Sequence, residues 1–133
     1  MNATKPRILC VDDDPVNLKL FEAVLVQNGY EVIKTENSRE AIERIAKQRI
    51  DLVLLDVMMP GISGLDLCRM IKDDKSFRNI PVIMVTGIAL NEIRTRCIGA
   101  GADDFIAKPF SITEVLARIK ILLRAKDLGD KLD

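Results

Sequence analysis

The feature that most constrains the fold is an unbroken apolar run at residues 52–55, which ends at the carboxylate of Asp56. An apolar run without alternation, bounded by turn residues, is typical of a strand buried on both faces of a parallel sheet. Pro60 and Gly61 are a strong turn signal, so the strand is predicted to end near Asp56. Asp56 should therefore lie at the carboxyl edge of a sheet, where open α/β sheets bind ligands.

The rest of the chain alternates short apolar strands with amphipathic helices. Strands are predicted at residues 7–11, 31–35, 52–56, 82–86 and 104–107. The predicted helices run from Pro15, after an Asp14 cap, to Asn28; from 39 to 48 after a Ser38 cap; over 65–71; over 91–98; and from Ser111 or Thr113 to Leu123. Five strands alternating with five helices predict an α/β doubly wound parallel sheet with helices on both faces.

The charge balance and the hydropathy of the sequence limit which partners and which cellular location are expected. Twenty basic residues balance twenty acidic ones, so no overall field attracts the chain to nucleic acid or to a membrane. No apolar run approaches the roughly 18 residues of a membrane-spanning helix, and no signal peptide is recognisable. We therefore expect a cytoplasmic protein without direct nucleic-acid or membrane contact.

Two residue types limit the chemistry. The chain has no histidine, which excludes histidine-based acid–base catalysis and histidine-ligated zinc. Cys10, Cys68 and Cys97 lie far apart in apolar contexts and are predicted to be small core residues in a reducing compartment.

Polar side chains stand at the ends of four predicted strands. Asp12 and Asp13 follow the first strand, Asp56 and Thr86 end the third and fourth, and Lys108 follows the fifth. Because parallel strands share one carboxyl edge, these five groups should converge. Clustered carboxylates suit Mg²⁺, and an aspartate can accept a phosphoryl group as a nucleophile. Lys108 and the Thr86 hydroxyl would then bind phosphoryl oxygens.

Four motifs carry a resemblance to a known family. The segments VDDD at 11–14, LLDVMMPG at 54–61, PVIMVTG at 81–87 and KPF at 108–110 resemble a two-component response-regulator receiver domain over residues 6–124. The resemblance implies a flavodoxin-like fold with strand order 2-1-3-4-5. We expect the receiver domain to occupy residues 1–126 and a C-terminal tail to follow at 127–133. The resemblance also implies phosphorylation of Asp56 by a phosphohistidine on a sensor histidine kinase or phosphotransfer protein.

The resemblance also implies roles for single residues. Asp13, Asp56 and the backbone carbonyl of Met58 would bind Mg²⁺ directly, and Asp12 would assist through water. Lys108 would bind the phosphoryl group, and the Lys108–Pro109 bond is expected to be cis. Thr86 and Phe105 would form the switch pair. The domain would assist its own phosphorylation and dephosphorylation without being a turnover enzyme.

Two departures from the family pattern matter. Phe105 stands where many relatives carry Tyr, so a phenolic hydrogen bond cannot contribute to output. Met58 and Ile88, two residues after Asp56 and Thr86, are apolar. We hypothesise that these two side chains screen the phosphoryl group from water and lengthen its lifetime.

Two rival functions fit these residues less well. A phosphatase similar to the haloacid dehalogenases would need a second Asp two residues after Asp56, and Met58 stands there. A receiver-like module that is never phosphorylated is disfavoured because all the acidic and cationic groups are present.

The sequence allows more than one interpretation of the interaction surfaces. Val16 and Val26 on the first helix, with Leu18 nearby, are either ordinary exposed apolar residues or a docking face for a kinase helical bundle. The face of the fourth helix, fifth strand and fifth helix is expected to carry output to a downstream domain or protein, and a homodimer is a further alternative.

The C-terminal segment has two interpretations. Leu122, Leu123, Leu128 and Leu132 keep roughly helical spacing, while Gly129 weakens a helix there. The segment is either a frayed end or the start of a coiled-coil linker to an output domain. A standalone receiver, a phosphorelay intermediate and the front end of a cyclic-dinucleotide enzyme remain compatible with the sequence.

Overall fold

The computed structural model describes residues 4–59, 61–87 and 90–132, which form five strands alternating with five helices. The elements in chain order are β1 (Arg7–Val11), α1 (Pro15–Gln27), β2 (Glu31–Thr35), α2 (Ser38–Lys47), β3 (Leu52–Asp56), α3 (Gly64–Asp73), β4 (Val82–Thr86), α4 (Leu90–Gly99), β5 (Asp104–Ala107) and α5 (Ile112–Leu132). All five predicted strands are confirmed.

The strands form one parallel sheet in the order β2-β1-β3-β4-β5, which confirms the predicted flavodoxin-like fold. The register aligns the carboxyl ends of neighbouring strands. Val11 pairs with Leu55, Asp56 with Val85, and Thr86 with Ala107. The loops that follow β1, β3, β4 and β5 therefore begin at one common edge.

Helices cover both faces of the sheet, which accounts for the unbroken apolar run in β3. Val53 and Leu55 point into a core with α2, α3 and α4, whereas Leu52 and Leu54 point into a second core with α1 and α5. Every residue of β3 is buried, so neither face needs polar side chains. The cysteines predicted for the core are fully buried, and Cys10 lies in one core while Cys68 and Cys97 lie in the other.

The helix starts confirm two predictions and correct a third. Asp14 caps α1 by accepting the Val16 N–H at 2.9 Å, and Pro15 is the first helical residue. The Ser111 hydroxyl accepts the Glu114 N–H at 3.4 Å, so Ser111 rather than Thr113 precedes α5. The prediction that Ser38 caps α2 is wrong.

Asn37 caps α2 instead, because its side-chain oxygen accepts the Glu40 N–H at 2.9 Å. Ser38 is the first helical residue and is buried. Its hydroxyl donates to the Ile62 carbonyl at 2.8 Å and so joins α2 to the loop before α3. The helix ends at Lys47, one residue earlier than predicted.

The C-terminal helix is longer than its core-facing stripe. α5 has 21 residues and continues through Gly129 to Leu132. Among residues 112–128, whose burial is described, the buried ones are Val115 and Ile119, whereas Ile121 and Leu128 are exposed. The role of residues 127–133 as a tail or linker stays a prediction, and Asp133 lies outside the described residues. No helix among the described residues has both the length and the apolar character to cross a membrane.

Candidate functional site

Three carboxylates meet at the carboxyl edge of the sheet, as the sequence predicts. Asp12 and Asp13 follow β1 and Asp56 ends β3, and one oxygen from each lies within 4.8 Å of the others. Asp12 and Asp56 are buried, with 3% and 6% of their surface exposed, whereas Asp13 is exposed. Two buried acids and one solvent-facing acid therefore share a single site.

The ammonium group of Lys108 lies between the two buried acids. Its Nζ is 3.4 Å from Asp12 Oδ2 and 3.6 Å from Asp56 Oδ2. Its backbone N–H donates to the Thr86 carbonyl at 2.7 Å. One cation thus faces two carboxylates, which leaves the site with an excess of negative charge.

The loop that carries Lys108 is held against α1. The Lys108–Pro109 bond is cis, as the family resemblance implies. The Phe110 ring stacks on Phe21 of α1, with centroids 4.9 Å apart and planes inclined by 16°. This stacking ties the lysine loop to the helix that follows Asp12 and Asp13.

The charge balance of Asp56 is set mainly by its burial. Burial raises the pKa of Asp56 to about 6, the Lys108 ammonium opposes this rise, and the charge of Asp12 adds to it. The Met58 N–H donates to Asp56 Oδ1 at 3.2 Å and also favours the charged form. Additional positive charge near Asp56 would therefore stabilise its ionised carboxylate.

Two site residues were missed by sequence reasoning. The first is Asn17, whose side-chain amide donates to Asp12 Oδ2 at 3.2 Å from the first turn of α1. The Asp14 N–H donates to the other oxygen, Asp12 Oδ1, at 2.9 Å. An amide side chain one turn into a helix that begins beside the acids was the available signal, because helix side chains lean toward the N-terminus.

The second missed residue is Gly64, the first residue of α3. A β-carbon at this position would lie 2.0 Å from the Asp56 carbonyl oxygen and 2.9 Å from the Val57 α-carbon. The Gly64 N–H also donates to the Val57 carbonyl at 3.0 Å. Any other residue here would press on the backbone of Asp56, and a glycine immediately before a predicted helix was the only sequence signal.

The predicted switch residues lie on the neighbouring strands β4 and β5. Thr86 is fully buried at the end of β4. Phe105 in β5 is half-buried, and the Arg94 guanidinium carbon of α4 lies 5.3 Å from the centroid of its ring. Met58 exposes 61% of its surface beside Asp56, and Ile88 lies outside the described residues.

The candidate docking face on α1 needs one correction. Val16 and Val26 are exposed by 70% and 52%, whereas Leu18 is only 3% exposed. Leu18 packs with Phe21 and Leu25 in the core, because the helical repeat places these residues on one side. Leu18 therefore cannot belong to an exposed face.

Comparison with known proteins identifies the family. The model of the response regulator receiver domain matches residues 8–120 of the chain. The chain therefore belongs to the receiver domain family of two-component response regulators, and its class of function is phosphoryl-accepting signalling. The relatives that it matches include proteins named as response regulators.

Three relatives illustrate the similarity. The response regulator PleD of Caulobacter vibrioides is 40% identical over 126 residues, which are 95% of this chain but 28% of PleD. The polar-differentiation response regulator DivK of Brucella anthropi is 37% identical over 116 residues, which are 87% of this chain and 94% of DivK. A CheY-like response regulator receiver domain protein from Methanospirillum hungatei has a TM-score of 0.88 at 32% identity, covering 95% of this chain and 99% of that one.

Proposed function

We propose that Asp56 accepts a phosphoryl group from a phosphohistidine, with Mg²⁺ bound beside it, and that the change is passed on through Thr86 and Phe105. The observation that carries this proposal is the convergence of Asp12, Asp13 and Asp56 with one ammonium group, Lys108, at the carboxyl edge of the sheet.

The donor set fits a magnesium ion. Three carboxylates offer oxygen atoms within 4.8 Å of one another, and Asp13 is open to solvent. Mg²⁺ prefers oxygen ligands and keeps several of its waters, so a site that is partly open suits it. Asp13, Asp56 and the Met58 carbonyl would hold the ion, with Asp12 acting through water. When bound, Mg²⁺ supplies charge neutralisation for the carboxylates and phosphoryl oxygens.

In the phosphoryl transfer, Asp56 acts as the nucleophile. An Asp56 carboxylate oxygen attacks the phosphorus atom of the phosphohistidine, and a P–O bond forms as the P–N bond breaks. The imidazole leaves and takes up a proton, and an aspartyl phosphate remains on the chain. Lys108, already 3.6 Å from Asp56 Oδ2, would bind a phosphoryl oxygen, and the Thr86 hydroxyl would bind another.

The output would follow from the position of Thr86. Thr86 is buried and its carbonyl accepts the Lys108 N–H, so a new bond from its hydroxyl to the phosphoryl group disturbs a packed region. Phe105, with Arg94 over its ring, would respond as the second member of the pair. Phosphorylation would favour one of two pre-existing conformations at the α4–β5–α5 face.

The partners follow from the same chemistry. A sensor histidine kinase or a phosphotransfer protein would supply the phosphoryl group, and a downstream domain or protein would receive the signal. Exposed Val16, in the first turn of α1 after Asp14, is available to a docking donor. The cytoplasm, where such donors act on soluble partners, is the proposed location.

Mass spectrometry of the intact chain tests the acceptor. After incubation with acetyl phosphate and Mg²⁺, the wild-type protein should gain the mass of one phosphoryl group, and Asp56→Asn should gain none. Omission of Mg²⁺ should also abolish the gain. Asp66→Asn, an exposed acid in the first turn of α3, is the matched control and should be modified like the wild type. Modification of Asp56→Asn at the wild-type rate would refute the assignment.

A further inference from the structure

We propose that Asn17 is a positioning residue of the acidic site: its amide holds Asp12 in place, and so leaves Lys108 free to bind a phosphoryl group on Asp56. This inference rests on the proposed function. It assigns Asn17 a role through Asp12 and Lys108 rather than through contact with the phosphoryl group.

The geometry places two side-chain donors on the same carboxylate oxygen. The Asn17 amide lies 3.2 Å from Asp12 Oδ2, and Lys108 Nζ lies 3.4 Å from that atom. The other oxygen, Oδ1, accepts the Asp14 N–H at 2.9 Å. Asp12 is 3% exposed, so these donors largely replace the water that its charge would otherwise bind.

Lys108 is the donor that the reaction removes from Asp12. The same Nζ is 3.6 Å from Asp56 Oδ2, so one ammonium group serves both buried acids. A phosphoryl group on Asp56 adds negative charge at that side and draws the ammonium group toward it. Asp12 would then lose its cationic partner while it stays buried and charged.

Asn17 lowers the free-energy cost of moving Lys108 from Asp12 to the phosphoryl group. Its amide is neutral, so a new charge on Asp56 attracts it less than it attracts Lys108. The hydrogen bond to Asp12 Oδ2 can therefore persist when Lys108 turns away, and the buried carboxylate keeps a donor on each oxygen. Without Asn17, Oδ2 would depend on Lys108, and Asp12 would hold the lysine back from the phosphoryl group.

A neutral donor also preserves the charge of the site. The three carboxylates and one ammonium group leave two negative charges in excess, which matches a divalent cation. A lysine at position 17 would neutralise Asp12 and compete with the ion, and an aspartate would add a fourth repelling acid. An amide satisfies Asp12 without either effect.

The first experiment separates metal binding from phosphoryl transfer in Asn17→Ala. The Mg²⁺ dissociation constant, measured by calorimetry, should change less than about threefold, because a neutral group is lost. The rate of phosphorylation by acetyl phosphate at saturating Mg²⁺ should fall about tenfold, the ratio that corresponds to one hydrogen bond. Asn28→Ala, which removes the same side chain at the other end of α1, should leave this rate unchanged.

The second experiment asks whether Asn17 acts through Lys108. In a Lys108→Ala background, Asn17→Ala should slow phosphorylation by less than about twofold further, since the ammonium group that Asn17 releases is gone. An equal tenfold loss in both backgrounds, or no loss in either, would overturn the inference. If Asn17→Ala does not fold, Asn17→Leu serves in its place, because leucine is neutral, is similar in size to asparagine and cannot donate.

The two proposals fail in different ways. If acetyl phosphate and Mg²⁺ leave wild-type Asp56 unmodified, the proposed function fails. If wild type and Asn17→Ala are both modified at Asp56 at the same rate, only the role of Asn17 fails.

Discussion

Gly64 packs directly against the Asp56 carbonyl: a β-carbon at position 64 would stand 2.0 Å from that oxygen. The contact is between backbone atoms, so no flexible side chain can move aside to relieve it. α3 is anchored by Leu65, Leu67 and Cys68, all buried, and β3 is hydrogen-bonded on both sides. The loop between Val57 and Gly64 therefore joins two elements that are each held in place by the core or the sheet.

Gly64→Ala should therefore damage both the fold and the site. We expect a loss of about 1–3 kcal/mol in the free energy of unfolding, which is typical of an overpacked position. We also expect slower phosphorylation of the folded protein, because the clash displaces the Asp56 backbone. Urea unfolding and intact-mass kinetics measure the two effects.

The matched control for this variant is Gly99→Ala. Gly99 ends α4, and a β-carbon there would meet nothing within 4 Å. This substitution should leave both stability and phosphorylation close to wild type. A Gly64→Ala protein as stable and as reactive as Gly99→Ala would show that the close approach has no consequence.

Asp56→Asn should stabilise the protein at neutral and basic pH when no divalent cation is present. Burial raises the pKa of Asp56 to about 6, from 3.8, so folding favours the protonated form. The wild type consequently loses stability as the pH rises from about 4 through 6, and the asparagine variant does not. The gain at pH 8 should be about 1–3 kcal/mol, given 1.36 kcal/mol for each pKa unit.

Urea unfolding of both proteins at pH 4, 6 and 8 checks this pH dependence. The difference between them should be smallest at pH 4 and largest at pH 8. A difference that is constant over this range would mean that the charge of Asp56 is not its cause.

Magnesium should raise the melting temperature of the wild type and have little effect on Asp13→Asn. Binding to the folded state stabilises it by about 2.7 kcal/mol at a concentration of one hundred times the dissociation constant. Asp13 is the exposed member of the carboxylate cluster, so its replacement removes a ligand without opening the core. Scanning calorimetry with MgCl₂, and with NaCl of equal ionic strength, separates binding from screening. An equal rise in both proteins would remove Asp13 from the metal site.

Met58→Asn should shorten the lifetime of the phosphorylated state. The Met58 side chain is 61% exposed, and its own N–H donates to Asp56 Oδ1. Under the screening hypothesis an apolar side chain at this place would cover the phosphoryl group, whereas an amide would hydrogen-bond the attacking water. We expect phosphate loss to become several-fold faster, about 1 kcal/mol in activation free energy.

Phosphate loss is timed by intact mass after removal of acetyl phosphate. Met70→Asn changes the same residue type on the exposed side of α3 and should leave the rate unchanged. Equal rates for Met58→Asn and wild type would count against the screening hypothesis.

The sequence allowed the architecture and the principal acids to be predicted because these depend on local pattern and on one rule of topology. The apolar run before Asp56 indicates a fully buried strand, and parallel strands bring Asp12, Asp56 and Lys108 to one edge. Their convergence follows from the fold without knowledge of any side-chain contact.

What could not be predicted depends on distances between segments that are remote in sequence or on choices between equivalent residues. Gly64 matters because the α3 backbone approaches β3, and nothing in its neighbours encodes that approach. Asn37 and Ser38 are both good caps, so the pattern could not decide between them. Leu18 is a different case, because its helical spacing from Phe21 and Leu25 could have assigned it to the buried side of α1.

Because the cysteines are buried, their reaction with an alkylating reagent reports the opening of the domain. Burial raises the pKa of the Cys68 thiol to about 11 and that of the Cys10 thiol further, so neither forms a reactive thiolate while the native packing persists. Because Cys10 lies on the α1–α5 side of the sheet and Cys68 and Cys97 on the other, alkylation rates distinguish which layer separates first. The local opening of each helix layer can therefore be measured on the wild-type chain, without an introduced probe.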